Sequence, residues 1–164
     1  MALRGNEAPM RQIRRLSQRL SAVSLLVVAL TLAACSDDGG EPLGPIVDPL
    51  VGATADQVIA LELRDVSFSD DELTVTSGMV VAFDLNNVGR LDHDFTIKEI
   101  TADVSAVGQQ RRDKFDVYAP LDGKSETRLL LRVNEPGEYE FFCSLPGHRP
   151  SGMLGTLTVV AANP

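Results

Sequence analysis

Tryptophan is absent from this chain of 164 residues, and cysteine, histidine and tyrosine occur only twice each. Two cysteines cannot build a disulfide framework or a Cys₄ zinc ribbon, and two histidines cannot supply the ligands of a multicopper oxidase. Bases are also scarce, 15 Lys plus Arg against 23 Asp plus Glu. What remains is ordinary for a globular chain: 44% hydrophobic and 23% charged residues, enough for a real core and too apolar for wholesale disorder. The length suits one domain.

No apolar run reaches the roughly 20 residues that span a bilayer; the longest, Leu20 to Ala34, is about 15 residues and is interrupted by Ser21, Ser24 and Thr31. It follows a segment carrying Arg4, Arg11, Arg14, Arg15 and Arg19 with one acid, Glu7. A basic stretch followed by a short apolar one is the pattern of an export signal. Leu32-Ala33-Ala34-Cys35 resembles the lipobox of bacterial lipoproteins, which implies that residues 1–34 are removed and that Cys35 is acylated. The alternative is an ordinary secretory cleavage that leaves Cys35 as a spare thiol. Either way the expected location is extracytoplasmic, periplasm or cell surface, and the lipobox reading anchors the chain to a bacterial membrane. Arg14-Arg15 is a poor twin-arginine signal, because Leu16-Ser17-Gln18 does not continue it.

Without residues 1–34 the chain keeps 10 bases against 22 acids, a formal charge of −12. Such a field repels nucleic acid and speeds encounter with a basic protein; the plainer alternative is that it only keeps the chain soluble. Residues 35–55 are dense in Gly, Pro and Asp and have no sustained period, the composition of a tether.

From residue 56 to 162 the period becomes two. Met79, Val81, Phe83 and Leu85 alternate with Val80, Ala82, Asp84 and Asn86, and Asn87-Val88-Gly89 signals a turn. His93, Phe95 and Ile97 alternate with Asp94, Thr96 and Lys98, and Leu129, Leu131 and Val133 with Arg128, Leu130 and Arg132. Pro136-Gly137 turns the chain into a strand ending at Cys143, and residues 155–160 supply a last one. The pattern predicts an all-β antiparallel sandwich or barrel. Residues 101–120 are the least patterned and are expected to be an irregular excursion with a helical turn.

Every candidate ligand for a soft metal lies in two places: His93, and then Cys143, His148 and Met153 in the spacing Cys-x4-His-x4-Met. A thiolate and two imidazoles make a trigonal set that suits copper in both oxidation states, and a thioether adds a weak axial bond. Zinc fits the cysteine and histidines but leaves the methionine unexplained. Tyr139, Phe141 and Cys143 share one strand face, and His93 shares one with Phe95 and Ile97, so both strands are predicted to aim their ligands inward. Pro146-Gly147 and the glycines flanking Met153, Gly152 and Gly155, permit a tight reversal.

The stretch YEFFCSLPGHRPSGMLGTLTV, Tyr139 to Val159, together with His93-Asp94-Phe95, resembles the plastocyanin/azurin-like blue-copper (cupredoxin) family. The resemblance implies a Greek-key β-sandwich of about eight strands binding one copper ion that cycles between Cu(I) and Cu(II). It implies His93, Cys143, His148 and Met153 as ligands. It also implies an apolar docking face formed by Leu145, Pro146, Pro150 and Leu154 around His148. The expected role is a monomeric, non-enzymatic electron carrier between extracytoplasmic redox proteins, such as a basic cytochrome or a membrane oxidoreductase. Copper storage or delivery is the alternative. The family commonly has Asn after its first histidine ligand, where it ties the ligand-bearing segments together. Here that residue is Asp94, whose ionised carboxylate only accepts hydrogen bonds; its charge beside the site is expected to favour Cu(II) and lower the reduction potential.

Overall fold

The computed structural model describes residues 44–163, so the expected signal, its cleavage point and Cys35 lie outside the described residues. Ten strands form two five-stranded sheets. The first sheet contains β1 (Gln57–Arg64), β2 (Ser67–Phe68), β4 (Val80–Asn87), β6 (Ala102–Val104) and β8 (Glu126–Val133), in the order β2-β1-β4-β8-β6. The second contains β3 (Glu72–Thr76), β5 (His93–Ile97), β7 (Val117–Leu121), β9 (Gly137–Phe142) and β10 (Leu154–Val160), in the order β3-β10-β9-β5-β7. Pairing is antiparallel except that β1 runs parallel to β4 and β3 parallel to β10. These two parallel neighbours are joined by long connections, which antiparallel hairpins do not require.

The predicted alternation sorts residues as expected along β4 and β8: Val81, Phe83, Leu85, Leu129, Leu131 and Val133 are all core. Across the outer face of the same strands Asp84 stands opposite Arg128 and forms an ion pair with it. Met79 departs from the pattern, because it lies before β4 beside Gly78, whose φ is +79°, and is largely exposed. Ala82 is buried although it faces outward; it sits in register between Val58 and Leu130, whose larger side chains flank it.

The 101–120 segment is more ordered than its sequence indicates. It holds β6, a single 3-10 turn at Ala106–Gly108 and most of β7. β7 alternates after all, with Val117, Ala119 and Leu121 buried, and Pro120 is tolerated because this strand is the edge of its sheet. The Gly44 to Leu50 part of the expected tether also has fixed contacts. Leu50 is buried, Asp48 accepts a hydrogen bond from the Ala106 amide, Gln109 donates to the Val47 carbonyl, and Arg112 donates to the carbonyls of Gly44 and Pro45.

An aromatic column fills the sandwich beneath one end. Phe95 stacks on Phe141 at 5.2 Å and packs against Phe83 at 5.4 Å, and Phe68 meets Phe141 edge-on at 5.1 Å. Gly155 is the residue that lets β10 close over this column. A Cβ there would lie 2.3 Å from the Phe141 ring and 2.5 Å from the Asp71 carbonyl oxygen. That carbonyl accepts the Thr156 amide at 2.7 Å and cannot retreat. Gly155→Ala is therefore expected to destabilise the domain by about 1–3 kcal/mol through overpacking. Thermal unfolding followed by circular dichroism should show the midpoint falling by roughly 5–15 °C.

Candidate metal centre

His93 opens β5, in register with Leu121 of β7. The loop that delivers it is pinned from both sides. The buried Asn87 amide donates to the carbonyls of Leu91 (2.8 Å) and Asp122 (3.0 Å), while its oxygen accepts the Gly89 amide at 3.0 Å. Asp65, just past β1, accepts the amides of Arg90 and Leu91 at 2.8 and 3.3 Å, and these bonds hold its carboxyl below the usual carboxylate range.

Cys143, His148 and Met153 ride on the loop between β9 and β10. Its root is closed by the Phe142 to Leu154 register and by the Cys143 amide donating to the Met153 carbonyl at 3.0 Å. At its tip the His148 carbonyl accepts the amides of Ser151 (3.1 Å) and Met153 (3.0 Å). This reversal needs left-handed backbone at Gly147 and Gly152, with φ of +87° and +100°, a conformation that glycine adopts without Cβ strain.

These elements bring three of the four predicted ligands, His93, Cys143 and His148, together. Cys143 Sγ lies 3.3 Å from His148 Nδ1 and 3.9 Å from His93 Nδ1, and the donor atoms of the three residues all fall within 4.8 Å of one another. A metal bonded at about 2.0 Å to nitrogen and about 2.3 Å to sulfur, in trigonal geometry, would hold such atoms about 3.7 Å apart. The observed separations bracket that value. Met153 is fully buried. Buried His93 Nε2 has no hydrogen-bond partner. A buried thiol and two imidazoles that converge, with a buried thioether at the root of the same loop, form a set that fits one copper ion.

Burial pushes the Cys143 thiol up, and backbone hydrogen bonds from Asp94 and Leu145 pull it partly back. Burial, followed by the neighbouring His148, pushes His93 down. His93 is thereby kept in the neutral form that ligates, while the cysteine gives up its proton when a metal binds.

Asp94 sits at the join. Fully buried, it accepts hydrogen bonds from the Ser144 amide (2.7 Å), the Ser144 hydroxyl (2.8 Å) and the Thr96 hydroxyl (2.7 Å). The tie between ligand-bearing segments is thus made with donors supplied by the partners rather than by residue 94. Asp94 and Thr96 were expected on the outer strand face; both are buried, Asp94 beneath Ser144 at the beginning of the ligand loop and Thr96 in register between Tyr118 and Phe142. Ser144, Thr96, Asn87 and Asp65 were not picked out as site residues from sequence, since their partners are 2 to 50 positions away and only the fold reveals them.

Of the expected docking residues, Pro146 and Pro150 are exposed and Leu145 and Leu154 half-buried, with Leu145 packed on the core. His148 is half-buried among them. Leu91, 49% exposed in the loop that precedes His93, adds apolar surface that the sequence reading left out.

A family model described as a cupredoxin-like domain matches residues 22–159, and the chain belongs to that family. Among characterised relatives it is 27% identical over 128 residues to the copper-resistant cuproprotein CopI of Vibrio cholerae, an alignment covering 73% of this chain and 75% of that protein. It is also 28% identical over 111 residues to auracyanin-B of Chloroflexus aurantiacus, covering 57% of this chain and 47% of that protein. The solved structure of auracyanin B superposes with a TM-score of 0.53 at 25% identity, over 65% of this chain and 91% of that one.

Proposed function

We propose that the protein is a blue-copper electron carrier, holding one copper ion between His93, Cys143, His148 and Met153. The observation that carries the reading is the approach of Cys143 Sγ to both imidazoles, 3.3 and 3.9 Å, at an end of the sandwich where His148 is the half-exposed ligand. When bound, copper supplies one-electron chemistry between Cu(I) and Cu(II). The residues do the rest. Cys143 and His93 are held by strand backbone and a stacked aromatic column, so little of the site has to rearrange. The His148 edge, flanked in its loop by the exposed Pro146 and Pro150, offers a small apolar contact of the kind that suits transient redox encounters. Both histidines of the chain are committed to this site, so the role is that of a carrier rather than an oxidase.

The acidic balance of the chain favours a basic redox partner, a cytochrome or a membrane oxidoreductase. Anchorage through acylated Cys35 would keep the domain at a bacterial membrane on its extracytoplasmic side. One observation favours a second reading, copper storage or delivery: the similarity to CopI, whose name describes a copper-resistant cuproprotein.

Stopped-flow mixing separates the two. The Cu(I) protein mixed with an oxidised basic cytochrome c should give rapid electron exchange that slows as salt is raised, while the copper stays bound. Copper passing intact to a Cu(I) chelator within seconds, with no electron exchange, would favour handling and sink the carrier reading.

A further inference from the structure

The loop from Cys143 to Met153 carries three of the four candidate ligands and, apart from apolar packing and the contacts among the ligands themselves, has two side-chain ties to the rest of the domain among the described residues. One is Asp94 on Ser144, at its beginning. The other is at its tip, where Arg149 follows His148. Arg149 Nη2 lies 2.6 Å from Glu140 Oε1, and its guanidinium carbon sits 4.5 Å from the centre of the Phe142 ring. Glu140 and Phe142 both belong to β9. Phe142 is itself almost fully buried and is met edge-on by Phe115 at 6.2 Å. The contact therefore joins the residue before the sulfur ligand to the residue after the exposed imidazole ligand.

Resting on the copper reading above, we propose that Arg149 is a positioning residue for the metal centre. Its guanidinium, stacked on Phe142 and paired with Glu140, holds the His148 turn against β9 and limits how readily His148 swings away from the metal. An exposed ion pair alone contributes little, and this one is about half-exposed, with side chains 53% and 41% accessible. The guanidinium makes the difference, because its carbon lies over the Phe142 ring while one of its nitrogens meets the Glu140 carboxylate, two contacts that the compact ammonium of a lysine does not make together as well.

The test compares wild type with R149Q, R149K and E140Q, all loaded with Cu(II), by the rate of copper release to excess chelator. The hyperfine splitting in electron paramagnetic resonance and the thermal midpoint of the metal-free proteins are recorded alongside. R64Q, which breaks the exposed pair of Arg64 with Glu62, serves as a control. Losing stack and pair together should speed release about tenfold in R149Q. R149K and E140Q should each show a smaller increase and R64Q none, with altered hyperfine splitting only in the loop variants. Metal-free midpoints should stay within about 2 °C of wild type, because an exposed contact of this kind contributes little to the whole domain. High salt should speed release from wild type and leave R149Q nearly unchanged. Release from R149Q at the wild-type rate, or an equal acceleration in R64Q, would overturn the proposal. Failure of wild type itself to retain copper would overturn the underlying copper reading, and the brace with it.

Discussion

Cys143→Ser is expected to abolish the intense blue absorption of the copper-loaded protein. In wild type, one equivalent of Cu(II) should give an intense blue thiolate-to-copper band with small hyperfine splitting, bleached reversibly by reductant. The reason lies in the site: Cys143 is the only sulfur donor that can become an anion there, and the described domain contains no other free cysteine. Its sulfur is the atom that both imidazoles approach. A serine hydroxyl is a harder and far less acidic donor, so the three remaining groups bind copper weakly. The variant should give a pale spectrum with wide splitting. Because Ser is nearly isosteric and the Cys143 amide still reaches the Met153 carbonyl, the fold should persist, as circular dichroism would show. A blue band surviving in the variant would refute the ligand assignment.

Asp94→Asn is expected to raise the reduction potential on the order of 100 mV. A unit charge a few ångströms from a metal, at an effective dielectric near 20, is worth a few kcal/mol, and about 2.3 kcal/mol corresponds to 100 mV. The substitution isolates charge from geometry. An amide oxygen in place of Oδ1 can still accept the Ser144 amide and the Thr96 hydroxyl, and the Ser144 hydroxyl, which donates to Oδ2, can rotate to accept from the new NH₂. Asp94→Ala would remove the tie as well and is expected to broaden the copper spectrum, which Asn should not. Protein-film voltammetry checks the first effect; an unchanged or lowered potential in Asp94→Asn would show that the carboxylate's charge does not bear on the metal.

The legible parts of this protein are those in which local chemistry repeats at short range. β4, β5, β8 and β9 alternate with period two in sequence, so Phe83, Phe95, Leu129 and Phe141 could be placed inward without a structure, although β5 proves to be buried on both faces. The Cys-x4-His-x4-Met spacing was equally plain, since one short loop between adjacent strands holds all three residues. β7 lies mostly in residues 101–120, which the sequence leaves as an irregular excursion; nothing local says that Pro120 stands in an edge strand, where a missing amide does no harm. Met79 shares the parity of Val81, Phe83 and Leu85, yet the strand begins one residue later, after Gly78 takes a left-handed conformation.

Sequence alone was sufficient to name the candidate donors and their order, and to aim His93 and Cys143 inward, because side-chain parity along a strand is a local property. Tertiary structure decided what depends on distant segments meeting. It brought His93 within 3.9 Å of a sulfur 50 residues away. It turned Asp94 from a departure from the family pattern into an acceptor with three donors, through Ser144 and Thr96. It also set Arg149 on Phe142 and Glu140. The physical reason is common to all three: a hydrogen bond or a ring contact acts over a few ångströms, whereas the chain fixes only near neighbours, so such partners exist once the two sheets have closed on their shared apolar core.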